Sequence, residues 1–130
     1  MVSVAREYSR FLSVESCGQC PPCKQGSLAI TEHLTSIEEG AGRDDDLAAL
    51  AALLRTVTDA NRCYLGTEEQ QVVSSLLRAF PEDFAAHLEG RPSHGRAVLV
   101  PLVTDIGDDG TVIYATRHAR KRADWTYAAE

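Results

Sequence analysis

The four cysteines of this 130-residue chain are the residues whose types and spacing most clearly suggest chemistry. Cys17, Cys20 and Cys23 form a C-x2-C-x2-C run, and Cys63 stands well downstream. The run lies among glycine and proline residues, which predict a loop because proline lacks the backbone donor that a helix interior needs. Three thiols on such a loop can turn inward around one centre, and the fourth can close the site.

A [4Fe–4S] cluster needs four thiolates, and a C-x2-C-x2-C run with a remote cysteine is a common way to supply them. Zinc is the main alternative, although cysteine-rich zinc sites more often use two C-x2-4-C pairs or add histidine. Buried unligated thiols are a weaker alternative, since prolines and a glycine surround the run. Disulfides are not expected, because the N-terminus carries charges where an export signal needs apolar residues. The spacing favours one cluster held by all four cysteines.

Composition limits the other chemistry that the chain can perform. It carries a net charge of -6, with 44% hydrophobic residues. A pI near 5.2 argues against nucleic-acid binding, which needs a basic footprint. No glycine-rich dinucleotide or phosphate-binding motif is present, so no FMN or NAD site is expected in this chain. No stretch approaches the roughly 20 apolar residues of a membrane helix, so direct membrane insertion is not expected.

The elements that must position the cysteines are helical. Apolar residues at helical spacing predict helices over about 3–14 and 24–38, the second with Ile30, Leu34 and Ile37 on one face. A third helix is predicted with Asp44 or Asp45 as its N-cap. A fourth is predicted from Thr67, where Thr67 to Gln70 has the pattern of a capping box, and Pro81 should break or kink it. The predicted fold class is mainly α: a small four-helix bundle over residues 1–90 that holds the cluster.

Residues 91–130 are predicted to form a separate C-terminal extension. The β-branched segment 98–104 and the segment 111–115 flank an Asp-Asp-Gly turn signal and predict a short β-hairpin, with Pro101 confining the first strand to an edge. A lone hairpin is marginal in water, so it should pack on the bundle or on a partner. The basic run 117–122 is expected to be a solvated tail. An iron–sulfur redox-sensing regulator that binds nucleic acid through this run is the alternative.

Two motifs resemble one known family. The segment from Glu15 to Gly26 reads E-S-C-G-Q-C-P-P-C-K-Q-G, and Cys63 begins C-Y-L-G. Both motifs, and the gap between them, resemble the C-terminal iron–sulfur domain of the NADH-binding flavoprotein (51 kDa-type) subunit of respiratory complex I, and of related NAD-linked hydrogenases and formate dehydrogenases. The resemblance covers roughly residues 5–90. It departs at Lys24, where the family usually has arginine, and the family's flavin- and NADH-binding domain is absent.

The resemblance implies a helical domain with one [4Fe–4S] cluster on Cys17, Cys20, Cys23 and Cys63. It implies a single-electron transfer module of an NADH:quinone oxidoreductase-like system, fed by a flavoprotein or another redox subunit and not catalytic alone. A zinc-stapled interaction module remains the alternative in which the metal only stabilises the fold. We expect a cytoplasmic protein, either free or attached through partners to a membrane-bound complex. The chain is either a natural short protein or the C-terminal part of a larger flavoprotein.

Overall fold

Helices make up most of the first 92 residues in the computed structural model, which describes residues 1–92 and 98–129. The helices are α1 (Val2–Glu15), α2 (Pro21–Glu38), α3 (Asp44–Thr56), α4 (Leu65–Ala79) and α5 (Pro81–Leu88). They are followed by strands β1 (Val103–Ile106) and β2 (Val112–Tyr114) and by a 3-10 turn (His118–Arg120). The prediction of a mainly helical chain with a short C-terminal hairpin is therefore confirmed.

Helix α2 is the central element, because α1, α3, α4 and α5 all pack against it. Its predicted apolar stripe of Ile30, Leu34 and Ile37 is fully buried. The other helices contribute the rest of the core, which comprises Val2, Ala5, Leu50, Leu54, Val57, Val73 and Phe84. Burial of several large aliphatic side chains, each worth about 1.5–3 kcal/mol, holds the helices together and fixes the loops between them.

The helical part differs from the predicted four-helix bundle in its number of helices. Five α-helices lie within the described residues, because α4 ends at Ala79 and a new helix begins at Pro81. Phe80 leaves the helical conformation with φ of -132° and ψ of 48°. Proline has no N–H with which to continue α4 but is well suited to the first turn of a new helix. The predicted break at Pro81 is confirmed.

Three predicted helix starts are wrong by a few residues. The N-cap of α3 is Arg43 rather than Asp44 or Asp45, and its backbone N–H donates to the Asp46 carboxylate at 2.6 Å. α4 begins at Leu65 rather than Thr67, and its N-cap makes no side-chain hydrogen bond. Gln70 does not complete a capping box there, because its side-chain amide donates to the carbonyl oxygen of Leu54 at 2.6 Å and so ties α4 to α3. α2 begins at Pro21 rather than near residue 24, which brings Cys23 into its first turn.

The hairpin is shorter than predicted and shifted along the chain. Val103 pairs with Tyr114 and Ile106 with Val112, in antiparallel register. Pro101 lies before β1 instead of inside it, since a proline cannot donate to the ladder. Every residue of both strands is exposed, so the strands are not covered by the described part of the bundle. The division at residue 90 stays a prediction, and residues 93–97 lie outside the described residues.

Candidate metal centre

The first cysteine loop joins α1 to α2. Gly18 has φ of +77°, a left-handed conformation that glycine adopts without a Cβ penalty. Two prolines then occupy the first positions of α2, where a missing N–H costs nothing. This local sequence turns the chain sharply and places Cys20 at the N-cap and Cys23 in the first helical turn.

Cys63 lies in the bend between α3 and α4, and a buried glycine in the next turn allows the chain to pack there. A Cβ built on Gly66 would lie 2.6 Å from the carbonyl oxygen of Val57 and would overlap the side-chain amide of Asn61. That amide donates to the same Val57 oxygen at 2.8 Å. The glycine of the C-Y-L-G motif is therefore the residue that permits this close turn, whereas the supporting role of Asn61 has no local signal in the sequence.

The two cysteine-bearing loops lie side by side. The guanidinium of Arg62, directly before Cys63, donates to the side-chain oxygen of Gln19 in the first loop at 3.1 Å. Burial raises the pKa of the Cys23 thiol, and electrostatic repulsion from each of the other three thiols raises it further, against a lowering by the Ser16 hydroxyl. The bond between Arg62 and Gln19 therefore places the loop of Cys63 beside the loop of the other three cysteines, although Cys23 and Cys63 are 40 positions apart in sequence.

The four thiols differ in exposure and form no disulfide. Cys20 and Cys23 are buried, whereas Cys17 and Cys63 are exposed. Within residues 1–92 and 98–129, no group of three or more His, Cys, Asp or Glu side chains forms a ready site for a single metal ion. Four thiols on two adjacent loops nevertheless match the donor set of an iron–sulfur cluster, which is ligated by cysteine thiolates. The residues present fit such a group.

Lys24, which follows the third cysteine, is held in place by the end of α1. Its ammonium donates to the carbonyl oxygens of Ser13 at 2.9 Å and Ser16 at 3.3 Å. A cation at a helix C-terminus satisfies carbonyls that lack intrahelical partners. Burial lowers the pKa of Lys24, and repulsion by Lys121 lowers it further. Because Lys24 lies on α2 and both carbonyls lie at the end of α1, these bonds fix the two helices that flank the cysteine loop relative to each other.

The basic run 117–122 is not the solvated tail that the sequence suggested. His118 is buried, and its ring Nε2 forms a 2.9 Å hydrogen bond with the carboxylate of Glu15. The same carboxylate accepts a hydrogen bond from the ammonium of Lys121 at 2.6 Å. Burial would raise the pKa of Glu15, but the bonds from Lys121 and His118 outweigh it and lower the pKa. Arg117 stacks over Tyr127 with 4.6 Å to the ring centroid. Arg117, His118 and Lys121 are therefore engaged in contacts within the chain, which leaves less of the positive charge of this run available to nucleic acid.

The site geometry agrees with a family comparison. Residues 3–87 match the model of the NADH-ubiquinone oxidoreductase-F iron-sulfur binding region, which is more than half of the chain. The chain belongs to this family. Its members share an iron–sulfur binding region, so the resemblance drawn from the cysteine motifs is confirmed. The match ends before the hairpin, and residues 98–129 lie outside it.

Several curated relatives are redox subunits. The chain is 33% identical over 107 residues to the NADP-reducing hydrogenase subunit HndC of Solidesulfovibrio fructosivorans, covering 81% of this chain and 22% of that protein. It is 31% identical to the F-type subunit of NADH-quinone oxidoreductase from Streptomyces coelicolor, covering 70% and 20%. It is 31% identical to the mitochondrial 51 kDa subunit of NADH-ubiquinone oxidoreductase from Neurospora crassa, covering 68% and 18%.

This member of the family therefore corresponds to a small part of its relatives. The chain spans about a fifth of the length of the curated proteins that it matches. In the part of the chain that the structure describes, none of the helices has both the length and the apolar character needed to cross a bilayer.

Proposed function

We propose that this chain carries one [4Fe–4S] cluster and serves as a single-electron transfer module beside a flavin-containing partner. The observation that carries the proposal is the juxtaposition of the two cysteine-bearing loops, which the Arg62–Gln19 hydrogen bond joins. The family match supplies the iron–sulfur class. The relatives named as NADH-quinone oxidoreductase and hydrogenase subunits support a partner that is itself a redox subunit.

Each part of the chain has a separate task in this proposal. Cys17, Cys20, Cys23 and Cys63 would provide the four thiolates. A cluster of this kind supplies reversible one-electron chemistry at a potential that hydrogen bonds and solvent exposure adjust. The helices hold the two loops together, and the Ser16 hydroxyl lies 3.5 Å from the Cys23 sulfur, where it can donate to a thiolate. Oxidation of NADH is the task of the partner.

Metal and sulfide analysis of the anaerobically purified full chain tests the cofactor. We expect about four iron and about four sulfide per chain, with broad visible absorbance that dithionite bleaches. A colourless protein with one zinc per chain would instead make this a structural zinc module. Cys20→Ser and Cys63→Ser should each lose the absorbance. The matched control is Tyr64→Phe, which alters the same loop without removing a thiol.

The dependence on a flavin partner has its own test. NADH alone should leave the visible absorbance unchanged, whereas NADH with a catalytic amount of a flavin-containing NADH dehydrogenase should bleach it. Bleaching by NADH alone would contradict the need for a partner. If neither NADH alone nor NADH with the flavin-containing enzyme bleaches the absorbance while dithionite does, the cluster is present but the assignment to NADH-linked electron transfer is wrong.

A further inference from the structure

The C-terminal segment runs along α1 towards the first cysteine loop. The backbone N–H of Val100 donates to the carboxylate of Glu7 at 3.3 Å. Farther along, Arg10 donates to the carbonyl oxygen of His118 at 3.4 Å, and the His118 ring lies 5.1 Å from the Phe11 ring. The contacts therefore proceed in order along α1, from its second turn to its last residue, where Glu15 binds Lys121.

Residues 121–127 then form a compact turn. Lys121 and Tyr127 make an isolated antiparallel bridge, and the N–H of Arg122 donates to the carbonyl oxygen of Thr126 at 2.8 Å. The Asp124 carboxylate accepts from the Thr126 N–H at 3.0 Å and from its hydroxyl at 2.7 Å. This turn holds Trp125 at its tip, with φ of +63°. A bulky residue in the left-handed region is uncommon and is kept there only when surrounding contacts determine it.

Trp125 sits directly on the first cysteine loop. Its indole N–H donates to the carbonyl oxygen of Ser16 at 3.1 Å. A Cβ built on Gly18 would lie 2.9 Å from Cη2 of the ring, so the ring fills the space that only a glycine leaves free. The Lys24 ammonium lies over the same ring, 4.5 Å from its centroid, in cation–π geometry. The ring thus touches the residues that flank Cys17 and the residue that follows Cys23.

We propose that residues 118–127 form a C-terminal clamp on the cysteine loop, with Trp125 as a positioning residue that holds Cys17 in its ligand conformation. The family match ends at residue 87, so this role belongs to a part of the chain that the match does not cover. Cys17 is exposed, and its two neighbours in the chain, Ser16 and Gly18, both lie against Trp125. The role of the clamp at the cluster rests on the proposed function, but its contact with the loop does not.

Thiol labelling of the metal-free full chain tests the clamp without any cluster. Cys17 is already exposed, so the readout is Cys20, the buried thiol of the same loop. Maleimide modification of Cys20, followed by peptide mass spectrometry, should be roughly tenfold faster in Trp125→Ala than in the parent, because one hydrogen bond and one cation–π contact no longer hold the loop closed. Trp125→Phe keeps a ring but loses the N–H bond to Ser16 and should be intermediate. Tyr114→Ala is the control, since it removes an equally exposed aromatic residue from β2. Equal labelling rates in all four proteins would overturn the proposal.

Intrinsic fluorescence gives a second measurement, because Trp125 is the single tryptophan of the chain. Lys121→Met removes the anchor to Glu15 but keeps the indole, so its emission should shift to the red and its Cys20 labelling should accelerate. Unchanged emission and labelling in this variant would also contradict the clamp. This variant keeps the proposal falsifiable if Trp125→Ala does not fold.

The loaded protein provides the functional readout. In air, the visible absorbance of Trp125→Ala should disappear several-fold faster than that of the parent and of Tyr114→Ala, and its reduced electron paramagnetic resonance spectrum should change. Parent-like bleaching and an unchanged spectrum would refute the role at the cluster. If the parent itself binds no iron and sulfide, the proposed function fails, while the labelling experiment still decides whether the clamp exists.

Discussion

Glu69 predicts a pH dependence of stability that can be measured directly. Its side chain on α4 is fully buried, and the hydroxyl of Ser9 on α1 donates to one carboxylate oxygen at 2.5 Å. The other oxygen has no hydrogen-bond partner within the described residues. Burial raises the pKa of Glu69 to about 7 from an ordinary value of 4.5, against a lowering by the Ser9 hydrogen bond. Burial dominates because the charged form loses its hydration.

The direction and size of the effect follow from linkage. The folded protein holds this proton more tightly than the unfolded chain, so the stabilisation is full below pH 4.5 and is lost as the pH rises through 7. The difference between the two pKa values corresponds to about 3 kcal/mol of unfolding free energy. Glu69→Gln keeps the shape of the side chain but cannot ionise. The stability of the parent should therefore fall relative to Glu69→Gln by about 2.5 kcal/mol between pH 5 and 8, because a small part of the change occurs below pH 5.

Urea unfolding followed by far-ultraviolet circular dichroism at pH 5, 6, 7 and 8 measures this difference, with iron content matched between the proteins. Glu68→Gln is the control, because it makes the same substitution at the adjacent exposed position. Its difference from the parent should be nearly independent of pH. The reasoning is refuted if the difference in unfolding free energy between the parent and Glu69→Gln stays constant across this range.

Further substitutions, at Glu7, Gly66 and Lys24, test contacts that hold the helices and the cysteine-bearing loops in place. Glu7→Ala leaves the partly buried Arg10 guanidinium without its carboxylate, and thermal unfolding should report a loss of about 3 kcal/mol. Gly66→Ala forces a Cβ against the Val57 carbonyl, so iron per chain should fall relative to the parent in parallel metal assays. Lys24→Met removes two hydrogen bonds to the end of α1 and should cost about 2 kcal/mol in urea unfolding, whereas Lys24→Arg should recover part of the loss.

The helical core was predictable because its signal is local and repeated. Ile30, Leu34 and Ile37 recur at helical spacing, and all three are fully buried in α2. The break between α1 and α2 was predictable for a related reason, since glycine and two prolines follow one another there, although Pro21 and Pro22 begin α2 instead of belonging to the loop. The ligand role of the four thiols stays a prediction, because it depends on the cofactor as well as on the fold.

The start of α4 shows where local signals fail. Thr67 and Gln70 have the composition of a capping box, but Gln70 instead donates to the Leu54 carbonyl on α3. A side chain that can cap its own helix can also bond to a neighbouring helix, and only tertiary packing decides between the two. The same packing lets α4 begin two residues earlier, at Leu65, beside the glycine that faces Val57.

The contacts of the C-terminal segment lie furthest from what a single sequence can predict. Trp125 and Ser16 are 109 positions apart, and no periodicity links them. The run 117–122 has the composition of a solvated tail, and no residue within the run indicates that α1 lies against it. Glu15 stands out in the sequence only as part of the motif around the first cysteine, two residues before Cys17, yet its carboxylate binds Lys121 and buried His118 at the loop. Contacts with Glu15 at the end of α1 therefore account for Lys121 and His118 beside the cysteine loop without a partner outside the chain.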